Sequence, residues 1–162
     1  GPCSVGVEST IVSLLPDEPP RLLRPGMLGR AAIEPILGRV LADARDTSVR
    51  VPGQHERHYA PALPAWRFTD IDTDRLTDPR LGWLLCGQGL EVTGPAIDLG
   101  NDPDAYARRL YAALYRLEHS GVDGICVQLP PDTEPWRAIR DRLQRATLPM
   151  PEAARGDLEQ PR

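Results

Sequence analysis

Residues 101–129 read NDPDAYARRLYAALYRLEHSGVDGICVQL, and this stretch determines the fold class that we predict for the chain. Asp102 or the asparagine before it can cap a helix, and Pro103 is favourable in the first turn. Apolar residues then recur at helical spacing and predict one buried face. They are Tyr106, Leu110, Ala113, Leu114 and Leu117. Gly121 ends the helix, and the alternating Ile125, Val127 and Leu129 predict a strand.

The same alternation of strand and helix extends to both sides of this stretch. Residues 65–69, 81–86 and 95–99 are predicted strands, and the middle one is apolar enough to be buried. A second amphipathic helix follows, with Trp136, Ile139, Leu143 and Ala146 on its apolar face. Strands that alternate with helices predict a parallel α/β layer.

The first part of the chain has a different pattern. Residues 5–14 and 21–24 are rich in β-branched and leucine residues, and we predict that they form two strands paired as a hairpin. A short helix is predicted over residues 30–38, although Pro35 favours a late start or a kink. Residues 40–64 have no clear period and are predicted to be an ordered linker.

Composition excludes several classes of function. Hydrophobic residues make up 41% of the 162 residues, which is enough for a core, yet no apolar run approaches the ~18 residues of a membrane helix. The formal charge of −4 provides no global basic field for nucleic acid. All 19 basic residues are arginine, so a Walker lysine, a Schiff-base lysine and a lysine general base are excluded within this chain.

The cysteines indicate a reducing compartment. Cys3, Cys86 and Cys126 are odd in number, lie far apart and form no CxxC pair. Such usage is typical of a reduced, cytosolic protein.

Three residues near the start could bind a substrate. Ser9 and Thr10 are predicted to lie mid-strand after a glycine, and their hydroxyls can bond a carboxylate, an amine or a phosphate oxygen. Arg24 precedes Pro-Gly and could clamp a phosphate. The alternatives are ordinary strand hydroxyls on a half-exposed face and an arginine on the surface.

The linker contains a polar and aromatic segment around His58 and Tyr59. His55 and His58 are three apart, but no third ligand completes a metal site, so a dedicated metal site is not predicted. Tyr59 could cover a nucleotide or simply pack the linker. The glycines of residues 87–89 lack the spacing and the following helix of a dinucleotide loop.

Four arginines crowd the last helix, namely Arg137, Arg140, Arg142 and Arg145. We interpret them, with Asp141 among them, as a solvated face. A weak contact with tRNA or a partner is the alternative.

Three motifs together resemble a known family. Their order is Gly6-Val7-Glu8-Ser9-Thr10-Ile11-Val12, then Leu23-Arg24-Pro25-Gly26, then Pro52-Gly53 followed by His58-Tyr59-Ala60-Pro61. Order and approximate spacing are similar to the back half of L-threonylcarbamoyladenylate synthase, the long form of the YrdC/Sua family. The resemblance implies an α/β fold class: the remnant of a YrdC-like α/β domain, with strands and a short helix, then a linker and a small Rossmann-like parallel α/β domain. The implied boundaries are 1–39, 40–64 and 65–148, with a tail at 149–162.

The resemblance also implies an activity. The family makes threonylcarbamoyl-adenylate from L-threonine, bicarbonate or carbon dioxide, and ATP, and releases pyrophosphate, so it is a nucleotidyltransferase. ATP is a substrate and brings Mg²⁺ with it. Other proteins in the cytoplasm then transfer the threonylcarbamoyl group to tRNA, and neither direct tRNA binding nor a membrane partner is expected here.

By the same resemblance, Ser9 and Thr10 line the threonine site, and Arg24, His58 and Tyr59 contact ATP. The linker is expected to close the cavity over the nucleotide, and the Rossmann-like domain to gate or stabilise it. No catalytic residue and no metal ligand is assigned to this segment.

The chain also departs from the family pattern. The family's lysine- and arginine-rich motif and its serine/asparagine motif belong upstream, and residues 1–12 read as the middle of a domain. His55 and Glu56 replace the more usual residues before the His-Tyr pair. We therefore expect the segment alone to be inactive. One alternative is a non-catalytic accessory module that docks on a separate YrdC-type subunit, and another is an unrelated nucleotide-binding α/β domain.

Overall fold

The structure is a computed structural model, and it describes residues 6–43, 60–70, 73–87 and 89–151. These residues form two sheets, one of three strands and one of five, with helices packed beside them. The α/β class predicted from the alternating pattern is confirmed.

The first sheet is a hairpin with one added strand. β1 (Ile11–Ser13) and β2 (Arg21–Arg24) pair antiparallel, as predicted. β3 (Ala42–Asp43) then pairs parallel with β2, inside the stretch that the sequence assigned to the linker. We refer to residues 6–43 as the first unit.

β1 is much shorter than the predicted strand 5–14, so the prediction that Ser9 and Thr10 lie mid-strand is wrong. The register shifts between Ile11 and Val12, which interrupts the ladder at the start of β1. Before that point, the Ser9 carbonyl accepts from the Arg24 side chain. Both hydroxyl residues therefore lie in an extended segment just before the strand.

The first helix covers the predicted residues but buries little. α1 runs over Arg30–Leu37 and keeps Pro35 inside, and Gly38 ends it in the left-handed region at φ 63°. No side chain of α1 is buried, although Ile33, Ile36 and Leu37 give it an amphipathic pattern.

The second sheet is entirely parallel. Its strands are β4 (Ala65–Phe68), β5 (Leu81–Leu85), β6 (Ala96–Asp98), β7 (Gly124–Gln128) and β8 (Leu148–Pro149). They lie in the order β6-β5-β7-β4-β8. The sequence predicted the first four within a residue or two, whereas β8 falls where only a domain end was expected. We refer to residues 65–149 as the second unit.

Two helices cover one face of this sheet. α2 (Pro103–Glu118) is capped by Asp102, whose Oδ1 accepts from the Ala105 N–H at 2.6 Å. α3 (Arg137–Ala146) follows a 3-10 turn at Glu134–Trp136. The predicted face of α2 is buried, and Tyr106 meets Trp136 edge to face with ring centroids 5.4 Å apart. Both helices therefore form where their apolar periodicity predicts, and α2 also has its predicted cap, whereas α3 has no side-chain cap.

The opposite face of the sheet carries a second apolar cluster. Alternate residues point to it, because successive strand side chains face opposite sides. Its buried members are Trp66, Phe68, Leu81, Trp83, Leu85 and Cys126. None of the helices among the described residues is long and apolar enough to cross a membrane.

The two units share a core. Val7 is buried in the main cluster of the second unit, and Met27 packs against that cluster. Gly6 lies so close to α2 that an added Cβ would be 2.8 Å from the Ala107 Cβ. Apolar contact of this kind fixes the start of the chain against the second unit.

Candidate functional site

The candidate site begins where two irregular segments of the first unit touch. Residues 8–10 run against the turn formed by Pro25 and Gly26. A Cβ on Gly26 would lie 2.3 Å from the Thr10 nitrogen, 2.5 Å from the Ser9 carbonyl carbon and 2.6 Å from the Glu8 oxygen. Only a glycine fits at this distance, so Gly26 allows the two segments to approach each other this closely.

Arg24 links the same two segments. Its Nε and one terminal nitrogen donate to the Ser9 carbonyl at 3.2 and 3.0 Å. The residue is only 9% exposed, so it is not the surface arginine that the sequence offered as the alternative. The guanidinium holds the Ser9 backbone and lies at the edge of the candidate site.

Thr10 and Ser9 differ in what their side chains do. The Thr10 hydroxyl donates to the Leu28 carbonyl at 2.8 Å, which leaves its lone pairs able to accept. Ser9 is exposed to solvent. Ser9, Thr10 and Arg24, predicted separately from two motifs, are thus brought together.

The linker residues His58 and Tyr59, like His55, lie outside the described residues. The contact of His58 and Tyr59 with ATP stays a prediction.

A fourth residue reaches this site from the second unit. Arg142 on α3 forms an ion pair with Glu8 through its Nε and donates from a terminal nitrogen to the Pro25 carbonyl at 3.2 Å. It is 4% exposed. The interpretation of the α3 arginines as a solvated face is therefore wrong for Arg142, because it is buried and binds Glu8 and Pro25 of the first unit as well as Asp141 of its own helix.

The charge of Arg142 is maintained by its neighbours. Burial lowers the pKa of the guanidinium, but the hydrogen bond and charge of Glu8, with the charge of Asp141, outweigh this effect and raise the pKa overall. Asp141 also binds Arg145 through both carboxylate oxygens, at 2.9 and 3.1 Å. Arg142 is therefore a permanently charged donor in a buried position.

The spacing of residues along α3 is a sequence signal for the burial of Arg142. Ala138, Arg142 and Ala146 are four residues apart and lie on the apolar face of α3. A charged residue on that face must find a partner when buried. Nothing local pointed to Glu8, because it lies 134 residues away along the chain.

The other arginines of α3 also have partners. Arg137 binds Asp43 of the first unit, and Arg140 lies 3.3 Å from Asp132 and donates to a backbone carbonyl. Arg137 is partly exposed, at 39% of its side chain. These pairs account for the arginine cluster without an external anion.

The carboxyl ends of the parallel strands are the usual ligand edge of an α/β sheet. Here, Gln128 at the end of β7 accepts from the Cys86 N–H at 2.9 Å and bridges the gap to β5. Asp98 accepts from the N–H groups of Gly87 and Gly100, each at 2.8 Å. Burial, followed by the charge of Asp98, raises the pKa of the Cys86 thiol to about 11, so it is not a nucleophile at neutral pH. At this edge, the side chains of Gln128 and Asp98 thus bind backbone groups of the protein itself.

Metal ligands are not grouped in the part of the chain that the structure describes. There, no three His, Cys, Asp or Glu residues are placed so that they could hold an ion.

Comparison with known proteins gives one family. A family model described as the C-terminal domain of threonylcarbamoyl-AMP synthase matches residues 28–147. The threonylcarbamoyl-AMP synthase of Pyrococcus abyssi is 28% identical over 91% of this chain and 47% of its own length. That of Bacillus subtilis is 29% identical over 90% of this chain and 46% of its own length. The chain spans about half the length of the curated relatives that it matches.

Solved structures agree on the fold. A crystal structure of P. abyssi Sua5 complexed with L-threonine matches 89% of this chain and 46% of its own, with a TM-score of 0.68 and 23% identity. A variant of the same protein, in which a consecutive His-Tyr pair is changed to alanine, matches with a TM-score of 0.67 and 24% identity.

Proposed function

The chain belongs to the family of threonylcarbamoyl-AMP synthase C-terminal domains, and from this premise we propose that it is the C-terminal portion of such a synthase. The complete enzyme would join L-threonine, bicarbonate or carbon dioxide, and ATP into threonylcarbamoyl-adenylate. Pyrophosphate would leave as an oxygen of the threonine carbamate attacks the α-phosphorus of ATP. This makes the proposed enzyme a nucleotidyltransferase.

The observation that carries the proposal is an open apolar face on the first unit. The exposed large apolar side chains of this unit are Leu14, Leu15, Leu28, Ile36 and Val40, Ile36 by 86%. Leu14 and Leu15 also line a cavity of about 270 Å³, whose other lining residues are Pro16, Glu18, Pro20, Leu37 and Arg39. Exposed apolar side chains beside a cavity are typical of an interaction site. Because the relatives are about twice as long, we propose that their other half covers it and forms the front wall of the site.

We assign threonine to the Ser9 and Thr10 segment. Both hydroxyls can bond the carboxylate or amine of an amino acid, and Thr10 keeps acceptor capacity while it donates to Leu28. The threonine complex of the P. abyssi protein supports this substrate.

We assign ATP to the side of Arg24, with His58 and Tyr59 of the linker closing over the nucleotide. A guanidinium suits phosphate oxygens because it is planar and always charged. We assign Mg²⁺ to the phosphates of ATP, because this ion is usually bound through substrate phosphates and waters with only one or two carboxylates from the protein.

The contribution of this chain would be placement and shielding. Holding the threonine carbamate near the α-phosphate converts an encounter into a positioned reaction. Both the carbamate and the adenylate are labile in water, so a linker that closes over them would protect the product. Cytoplasmic proteins would then transfer the threonylcarbamoyl group to tRNA.

Substitutions at the two proposed subsites test the assignment in the full-length enzyme. Ser9→Ala should raise the KM for threonine more than the KM for ATP, whereas Arg24→Lys should raise the KM for ATP and also the KM for threonine, because Arg24 holds the Ser9 carbonyl as well. Product formation from threonine, bicarbonate and ATP is measured by mass spectrometry. Equal shifts in both KM values for both variants would contradict the assignment, and no product from the unaltered enzyme would contradict the proposed function.

The open apolar face also suits a second function, that of an accessory module. In this case, the chain would dock on a separate catalytic subunit that is active without it. The rate of product formation by that subunit, measured with and without the chain, distinguishes the synthase half from the accessory module. An unchanged rate favours the accessory module.

A further inference from the structure

Arg142 connects the second unit to the two segments that carry the proposed subsites. It pairs with Glu8, which directly precedes Ser9, and donates to the carbonyl of Pro25, which directly follows Arg24. One side chain thus holds both segments from outside the first unit.

These contacts are costly to break because Arg142 is buried. An ionised group removed from water costs several kcal/mol unless it is paired and hydrogen-bonded. Arg142 is 4% exposed, and its partners are Glu8, Asp141 and the Pro25 carbonyl. The planar guanidinium directs its donors at fixed angles, so the position of Glu8 relative to Pro25 follows from its geometry.

The geometry of the site depends on the position of Glu8 relative to Pro25. Gly26 is packed within van der Waals range of the backbone of residues 8–10, and Arg24 binds the Ser9 carbonyl. A displacement of Glu8 would therefore move Ser9 and Thr10 relative to Arg24. Misplacement by ~1 Å can cost on the order of a hundredfold in rate.

We propose that Arg142 is a positioning residue of the synthase site. Through it, α3 sets the distance between Arg24 and the segment of Ser9 and Thr10, to which we assign the substrate threonine. It touches no substrate itself. The inference rests on the proposed function, and it gives the C-terminal domain a specific part in substrate binding.

The test compares two arginines of α3 in the full-length enzyme. Arg142→Gln should raise the KM for threonine and for ATP about tenfold or more. Arg137→Gln is the matched control, since Arg137 also pairs across the units, with Asp43, but is partly exposed and contacts neither segment. Its KM values should stay within about twofold, because exposed ion pairs contribute little.

Two results would overturn the proposal. One is equal KM values for the two variants. The other is an Arg142→Gln enzyme whose activity falls only in proportion to its folded fraction, with both KM values unchanged.

If Arg142→Gln does not fold, Arg142→Lys replaces it, because lysine keeps the charge beside Glu8 but lacks the planar group with several donors that also reaches Pro25. Unchanged KM values in Arg142→Lys would then overturn the proposal.

Hydrogen exchange separates this inference from the proposed function. The amides of residues 8–10 and 24–26 should exchange faster in Arg142→Gln than in Arg137→Gln, whether or not the enzyme makes the adenylate. Absence of product in the unaltered enzyme would count against the proposed function alone. Equal exchange in the two variants would overturn the positioning role.

Discussion

At the scale of single residues, the candidate site depends on one glycine. Gly26 is in contact with the backbone of residues 8–10, and a Cβ there would be 2.3 Å from the Thr10 nitrogen. We predict that Gly26→Ala lowers the free energy of unfolding by about 1–3 kcal/mol, because backbone must move to admit the methyl group. Urea denaturation measures the change.

Gly29→Ala is the control for this prediction. A Cβ at Gly29 meets only the Glu134 carboxylate, at 3.9 Å, and its φ of −74° suits any residue. The cost should be about 0.5 kcal/mol, the loss of a preferred residue at a helix N-cap. A Gly26→Ala protein as stable as Gly29→Ala would show that the close packing is not required.

The two buried thiols predict a dependence of stability on pH. Burial raises the pKa of Cys86 to about 11 and that of Cys126 to about 12, from an ordinary value near 9. The folded state thus keeps protons that the unfolded state loses, so this contribution to stability is complete below pH 9 and is lost as pH rises through 11 to 12. We predict that the free energy of unfolding falls from pH 9 to 11.

The double variant Cys86→Ala/Cys126→Ala isolates this effect. Above pH 9, the free energy of unfolding of this variant should fall less steeply with pH than that of the unaltered chain, even if the two differ in absolute stability. Parallel slopes would mean that other groups cause the dependence on pH.

Ser9, Thr10 and Arg24 were selected from two short motifs, and the structure places the Arg24 side chain against the Ser9 carbonyl. Their roles in substrate binding stay predictions. Arg142 was misassigned because its partners are 134 and 117 residues away, and spacing along α3 carries no information about them.

At the scale of elements, α2 shows why helices were easier to predict than short strands. Its cap, its proline and its apolar face all lie within 16 residues. β3 and β8 are two residues each and exist only through pairing with β2 and β4. Such pairing depends on tertiary packing, which no local pattern records. β1 was overestimated because β-branched residues already occur before Ile11, where the ladder begins.

The N-cap of α2 gives a prediction at this scale. Asp102→Ala should cost about 1 kcal/mol, because the Ala105 N–H loses its acceptor at the start of the helix. Asp104→Ala is the control, since Asp104 is an exposed first-turn acid whose favourable effect on the helix dipole is only a few tenths of a kcal/mol. Thermal and urea denaturation measure both, and equal losses would contradict the assignment of Asp102 as the cap.

At the scale of the whole molecule, the chain combines a finished unit with an open one. The second unit has a buried cluster on each face of its parallel sheet. The first unit is held to it by Val7, Met27 and Arg142 but leaves α1, Leu14 and Leu15 without burial. Fold class was predictable from the alternating pattern, whereas the shared core was not, because residues 7 and 27 meet the second unit only in three dimensions.

We propose that this chain forms one wall of a synthase site and that the enzyme makes no product without it. The most direct measurement is the rate of threonylcarbamoyl-AMP formation from threonine, bicarbonate and ATP in three samples: this chain, the other half of a relative, and both together. We predict product only when both are present. The same rate from the other half alone, or no product from the combined sample, would contradict the account.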